Sequence, residues 1–135
     1  MIKFVIVSLG GGVLFGVLDG LIHANPWAQR LYEVYRPIAR SSVNAAAGVA
    51  IDLVYGFALG GLFLLLYKAL PGTGGATKGL CFGLGVWFLR VAMRVASDWM
   101  MFQIPWQTLA YGAVSGLLEM LILGLFYGLT LGPGR

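Results

Sequence analysis

The chain predicts an all-α membrane protein, a four-transmembrane-helix bundle, and three observations carry that reading. Its 135 residues are 59% hydrophobic and 10% charged, with a mean hydropathy of +0.87, far outside the composition of soluble domains. Four apolar stretches, residues 2–22, 44–67, 78–101 and 105–131, reach the length of about 20 residues that a helix needs to cross hydrocarbon. These stretches use nearly the whole chain, so residues 1–135 read as a single membrane domain with one long connection, residues 24–43.

The first span opens on Lys3 and an apolar run that resembles a secretion signal. A glycine ladder, Gly12, Gly16 and Gly20, followed by Asp19 and His23, argues instead for a retained span, since a cleaved signal needs none of these. In the connection, Trp27, Leu31, Tyr35 and Ile38 recur at helical spacing, while Arg30, Glu33, Arg36 and Arg40 take other faces. This suits a short interfacial helix anchored at headgroup level and broken by Pro37.

The second span carries Asn44, Gly48, Asp52, Gly56 and Gly60 at one-turn intervals. The third opens with Gly79 and Gly83 and continues as VWFLRVAMRVASDWM over residues 86–100, with Arg90, Arg94 and Asp98 one turn apart. The fourth carries Gly112, Gly116, Gly124 and Gly128, with Ser115 one turn before Glu119. Lipid supplies no hydrophobic drive between helices, so stripes of small residues that let backbones approach are how spans associate. PGTGG at residues 71–75 is a turn between the second and third spans.

A shift of about 67 residues superposes GGVLFG (11–16) on KGLCFG (78–83) and IDLVYGFALGGL (51–62) on LEMLILGLFYGL (118–129). It puts Asp52 on Glu119 and predicts two hairpins of like topology, related by an axis along the membrane normal. An even number of spans places Lys3, Lys68, Lys78 and Arg135 on one side, against Arg30, Arg36, Arg40 and Glu33 on the other. By the positive-inside rule both termini are expected in the cytoplasm, in a bacterial inner membrane.

The charged residues within the spans are the candidate site. A charge at the bilayer centre costs about 2.5 to 3.5 kcal/mol even on insertion scales, and arginine does not escape by deprotonating. Depths reckoned from the helical rise bring Arg90 level with Asp52 and close to Glu119, and bring Arg94 near Asp19, His23 and Asp98. The expectation is a ladder of Asp19, His23, Asp52, Arg90, Arg94, Asp98 and Glu119 in which carboxylates neutralise arginines across helices, led by an Arg90–Asp52 pair. Such a network would fix helix register.

Other chemistry finds little support. The net charge of +4 is spread over span ends and interiors, without the basic patch that nucleic acid requires. Cys81 is the lone cysteine, which excludes an internal disulfide or cysteine metal cage. One histidine with scattered carboxylates makes no metal set, and no catalytic motif is present. No enzymatic activity and no cofactor are expected. The role expected first is an accessory or interaction subunit of a membrane assembly. The second is a homo-oligomeric transporter or proton or ion conduit using the same charges. Its partners would be the bilayer and either other membrane subunits or further copies.

Overall fold

The computed structural model describes residues 1–132, which leaves Arg135 outside the described residues. Among them there is no strand, and four helices are long and apolar enough to cross a membrane: Ile2–Ala24, Ala45–Leu66, Gly75–Met101 and Trp106–Leu131. The first is α1 (Ile2–Ala24). It stops at Asn25, which is extended because the following proline disfavours helical backbone. Asn25 then caps α2 (Pro26–Leu31), its Oδ1 accepting from the Ala28 N–H at 2.8 Å while Pro26 takes the first helical position.

The chain tightens into a 3-10 turn over Tyr32–Ile38 and reaches α3 (Ala45–Leu66), capped by Asn44, whose Oδ1 accepts from the Ala47 N–H at 3.0 Å. Gly72, with φ +110, turns the chain into α4 (Gly75–Trp87). Lys78 reaches back to donate to the carbonyls of Tyr67 at 2.7 Å and Leu70 at 2.9 Å, a cation placed on the C-terminal end of a helix. The third long helix is not uniform. A wider π turn, Phe88–Ala92, separates α4 from α5 (Met93–Met101). A short break at residues 102–105 precedes α6 (Trp106–Leu131).

Helices α1 and α3 pack as one hairpin, and α4 and α6 as another. In both, glycine lets backbone meet backbone. A Cβ on Gly56 would meet Ser8 and Gly12, and one on Gly12 would lie 2.9 Å from the Asp52 carbonyl oxygen. In the second hairpin, a Cβ on Gly128 would meet Gly75 and Gly79, and one on Gly124 would meet Gly79 and Gly83. The contacts therefore match at two offsets. Ser8, Gly12 and Gly16 correspond to Gly75, Gly79 and Gly83 at 67 residues, but Asp52 and Gly56 correspond to Gly124 and Gly128 at 72. The single offset that puts Asp52 on Glu119 is not the register these contacts use.

Two of the expected packing glycines are corrected. Gly20 and Gly48 have nothing within 4 Å of an added Cβ, because the hairpin has opened by their level. Gly60 meets Ser8 Oγ at 3.0 Å, Gly112 meets the Tyr32 hydroxyl at 3.5 Å and Gly116 meets Val91.

The hairpins join through α1 and α6, and through one core at the end of the bundle where the chain starts. Phe15, Phe63, Phe82, Met120, Leu123 and Tyr127 are buried there. Phe63 meets Phe82 edge-on with centroids 5.3 Å apart. The buried Tyr127 hydroxyl donates to the Gly56 carbonyl at 2.7 Å, tying α6 to α3. Large apolar side chains such as Val13, Val17, Leu65 and Leu89 point outward. The bundle is thus closed at this end and held by contacts that tolerate no added side chain.

Gly124→Leu should therefore lower stability by about 3 kcal/mol or more, since the clash is with backbone. Gly20→Ala should be neutral or stabilising by up to about 1 kcal/mol, from helix propensity. Thermal unfolding of detergent-solubilised protein separates these outcomes, and equal losses at the two sites would contradict the packing described.

Candidate functional site: a polar cavity under the docked connection

At the opposite end the long helices diverge and enclose a cavity of about 610 Å³. Its roof is the connection between α1 and α3. This segment docks on α6 and covers part of the cavity. Ala28 is fully buried, Thr108 donates to the Leu31 carbonyl at 2.5 Å, and Tyr111 packs edge-on against both Trp27 and Tyr32. Tyr32 and Tyr35 line the cavity. Burial raises both phenols above their ordinary pKa, so at neutral pH each remains a hydrogen-bond donor. Trp27, Arg30, Arg36 and Arg40 stay exposed.

The walls carry the charges. On α1, His23 and Asp19 lie one turn apart, with Nδ1 3.8 Å from the Asp19 carboxylate and 2.9 Å from its backbone oxygen. On α6, Thr108, Ser115 and Glu119 share one face, and Glu119 is only 3% exposed. Asp19 on α1 and Glu119 on α6 line the same cavity as Arg90.

Arg90 occupies the π turn. Such single-turn insertions recur at functional sites because they re-aim a side chain without ending the helix. Here the guanidinium lies over the rings of Tyr55 and Phe15, 4.8 and 5.1 Å from their centroids, and its Nε donates to the Tyr55 hydroxyl at 3.3 Å. A guanidinium has five N–H donors, and Tyr55 engages one of them. Phe15 and Tyr55 stack on each other at 4.9 Å, forming an aromatic shelf that holds the arginine at the cavity floor.

The expected ladder is corrected in its pairing. Among the described residues, the ion pairs within 4.0 Å are His23–Asp19, Arg36–Glu33 and Arg94–Asp98, each within one segment and three or four residues apart. No ion pair joins one long helix to another. The expected Arg90–Asp52 pair is absent because the π turn carries Arg90 onto the aromatic shelf. Asp52 packs instead against α1, where a Cβ on Gly16 would lie 2.7 Å from its Oδ2. Arg94 keeps to Asp98 on its own helix, with its side chain 82% exposed. Asp19, His23, Arg90, Arg94, Asp98 and Glu119 do converge on one cavity, whose lining does not include Asp52.

Sequence reasoning passed over Tyr32, Tyr55 and Thr108, and read Tyr35 as part of an interfacial helix. Tyr55 had a usable signal, since it follows Asp52 by three residues on the same helical face. Among the described residues no group of three or more His, Cys, Asp or Glu is placed to hold a metal. Cys81 is half-buried and free.

Because Arg90 rests on aromatic rings, Arg90→Leu and Tyr55→Leu should be coupled by about 1 to 3 kcal/mol in a double-mutant cycle. Arg90→Leu and Asp52→Leu should be additive within about 0.5 kcal/mol. Unfolding in detergent measures both cycles, and strong Arg90–Asp52 coupling would restore the ion-pair ladder. No protein family, curated protein or solved structure matches the chain.

Proposed function

We propose that the four long helices span a bilayer and that the chain works there as a small carrier. It would bind a polar ligand in the cavity and link the ligand's passage to proton movement at the carboxyl groups that line it, Asp19 and Glu119. One observation supports this reading over a purely structural network. If the charges served to fix helix packing, ion pairs between helices would be expected, yet among the described residues the ion pairs of the cavity groups, His23–Asp19 and Arg94–Asp98, each lie within one helix, and these groups line a cavity with Arg90 and Glu119. Ionisable residues inside a membrane that line a cavity are the usual form of substrate sites and proton relays. A volume of about 610 Å³ is also that of a small-ligand site.

The ionisable groups that line the cavity with Glu119 are Asp19 and His23 on α1, Arg90 in the π turn, and Arg94 and Asp98 on α5. Four Lys and Arg on the side of the termini, Lys3, Lys68, Lys78 and Arg135, against three on the other, Arg30, Arg36 and Arg40, support cytoplasmic termini in a bacterial inner membrane. The cavity then opens on the outer side.

The accessory or self-associating role is a second reading, and one observation favours it. The small faces at Gly20 and Gly48 have no helix opposite them within the chain, as a second copy or another subunit would require.

Purified protein in liposomes should dissipate an imposed pH gradient, read with an internal pH dye, and Glu119→Gln should reduce that rate at least tenfold. Tight liposomes with the wild-type chain would favour the accessory role. Cysteines placed at Thr73 and Gln29, in a Cys81→Ser background, should label from opposite sides of intact cells. Labelling of both from outside would refute the four-span topology.

A further inference from the structure

The charges of the polar cavity do not all find partners within the chain. Asp19 has His23 at 3.8 Å and Asp98 has Arg94 at 4.0 Å, each on its own helix. Setting those two pairs aside leaves one guanidinium, Arg90, and one carboxyl group, Glu119, among the ionisable groups of the lining. Among the described residues neither belongs to an ion pair within 4.0 Å, although both line the same space.

Packing holds Arg90 in place and leaves its donors free. Trp87 Nε1 donates to the Ala113 carbonyl at 2.9 Å, and a Cβ on Gly116 would lie 2.8 Å from Val91 Cγ1. The π turn is thus pinned to α6 on both sides of Arg90, close to Ser115 and within one turn of Glu119. The rings of Tyr55 and Phe15 brace the guanidinium, and Tyr55 engages its Nε. The two terminal nitrogens keep the paired donors whose geometry matches a carboxylate. Because the Tyr55 hydroxyl accepts from Arg90, its own proton is left to donate.

The α6 wall offers acceptors instead. Glu119 is 3% exposed and follows Ser115 by one turn, and the Ser115 hydroxyl donates to the Tyr111 carbonyl at 2.6 Å, which leaves its oxygen as an acceptor. A buried charge is costly until an opposite charge meets it. A simple anion would satisfy Arg90 but add its charge to those of Asp19, Asp98 and Glu119, and a simple cation would satisfy Glu119 but stand against Arg90 and Arg94. A zwitterion answers both residual groups and brings no net charge into the membrane. The rest of the lining, with Ile22, Val91, Val95 and Leu109, is apolar, and about 610 Å³ leaves space for an apolar substituent beside the charges.

We propose that the cavity binds a free α-amino acid with an apolar side chain. Its carboxylate sits on Arg90 and the Tyr55 hydroxyl, its ammonium on Glu119 and Ser115, and its side chain against the apolar lining. This rests on the carrier reading above and names the ligand class. Arg90 and Glu119 are then the two residues that set specificity, one for each charge of the ligand, and they need no contact with each other because the ligand bridges them.

The test is equilibrium dialysis of the detergent-solubilised full chain against three radiolabelled probes: phenylalanine, N-acetylphenylalanine, which lacks the ammonium, and phenylalaninamide, which lacks the carboxylate. Phenylalanine should bind at least tenfold more tightly than either of the others. Arg90→Gln should weaken phenylalanine at least tenfold and leave phenylalaninamide unchanged, while Arg90→Lys should recover part of the loss. Glu119→Gln should weaken phenylalanine by a similar factor and leave N-acetylphenylalanine unchanged. A variant that merely fails to fold loses all three probes alike, and the ranking of the probes on the unaltered chain decides the proposal in that case.

N-acetylphenylalanine binding as tightly as phenylalanine would make this an anion site and overturn the proposal. Phenylalaninamide binding as tightly would make it a cation site, with the same result. Failure of phenylalanine to bind, together with Glu119-dependent proton flux in liposomes, would sink this inference alone, whereas absence of both would sink the carrier reading with it.

Discussion

Backbone-to-backbone contact at glycine is the constraint on which the rest of this structure depends. Where Gly79, Gly83, Gly124 and Gly128 interleave, and where Gly56 meets Ser8 and Gly12, the helices are too close to admit even a methyl group. Such contacts offer dispersion over a large area and little else. They are nonetheless sufficient to fix one end of the bundle together with the aromatic core of Phe63, Phe82 and Tyr127. With that end fixed, the other does not have to be closed by packing. The polar groups can then face a cavity, because helix association does not rest on them.

This division accounts for the otherwise unfavourable placement of charge. Arginine on an aromatic shelf is held by ring quadrupoles and one hydroxyl, which orient it without neutralising it. Asp19, next to His23 on its own helix, and Glu119 are brought to the cavity by the positions of α1 and α6. A cross-helix salt bridge would have stabilised the divergent end at the cost of filling it, and would have made each charge a fixture rather than a contact for something else.

Much of the fold was legible in the sequence. Hydropathy gives four apolar helices, and the structure bounds them within a few residues of the expected positions. What composition and periodicity do not carry is rotation. A depth count places Arg90 level with Asp52, yet contact depends on which way each side chain points, and the π turn at Phe88–Ala92 rotates everything after it. FLRVA has no glycine or proline to announce such a turn. The docking of the connection was out of reach for a related reason. Alternating aromatic and basic residues suit a headgroup position, and the partners that also hold the segment down, Thr108 and Tyr111, lie far along the chain on α6. The glycine stripes were legible as packing faces but not in extent, since nothing in the repeat marks where the hairpins begin to part between Gly16 and Gly20.

The π turn has one more consequence. It amounts to a single inserted residue within an otherwise regular rod, and each residue of an α-helix advances the chain by about 100°. Squeezing that extra residue out, so that Phe88–Ala92 became α-helical, would twist α5 by roughly that angle against α4 with little change at the glycine-locked end. Arg94 and Asp98 would swing away from the cavity wall while the connections at either side stayed in place. The third long helix thus owes the presence of Arg94 and Asp98 on the cavity wall to that one inserted residue.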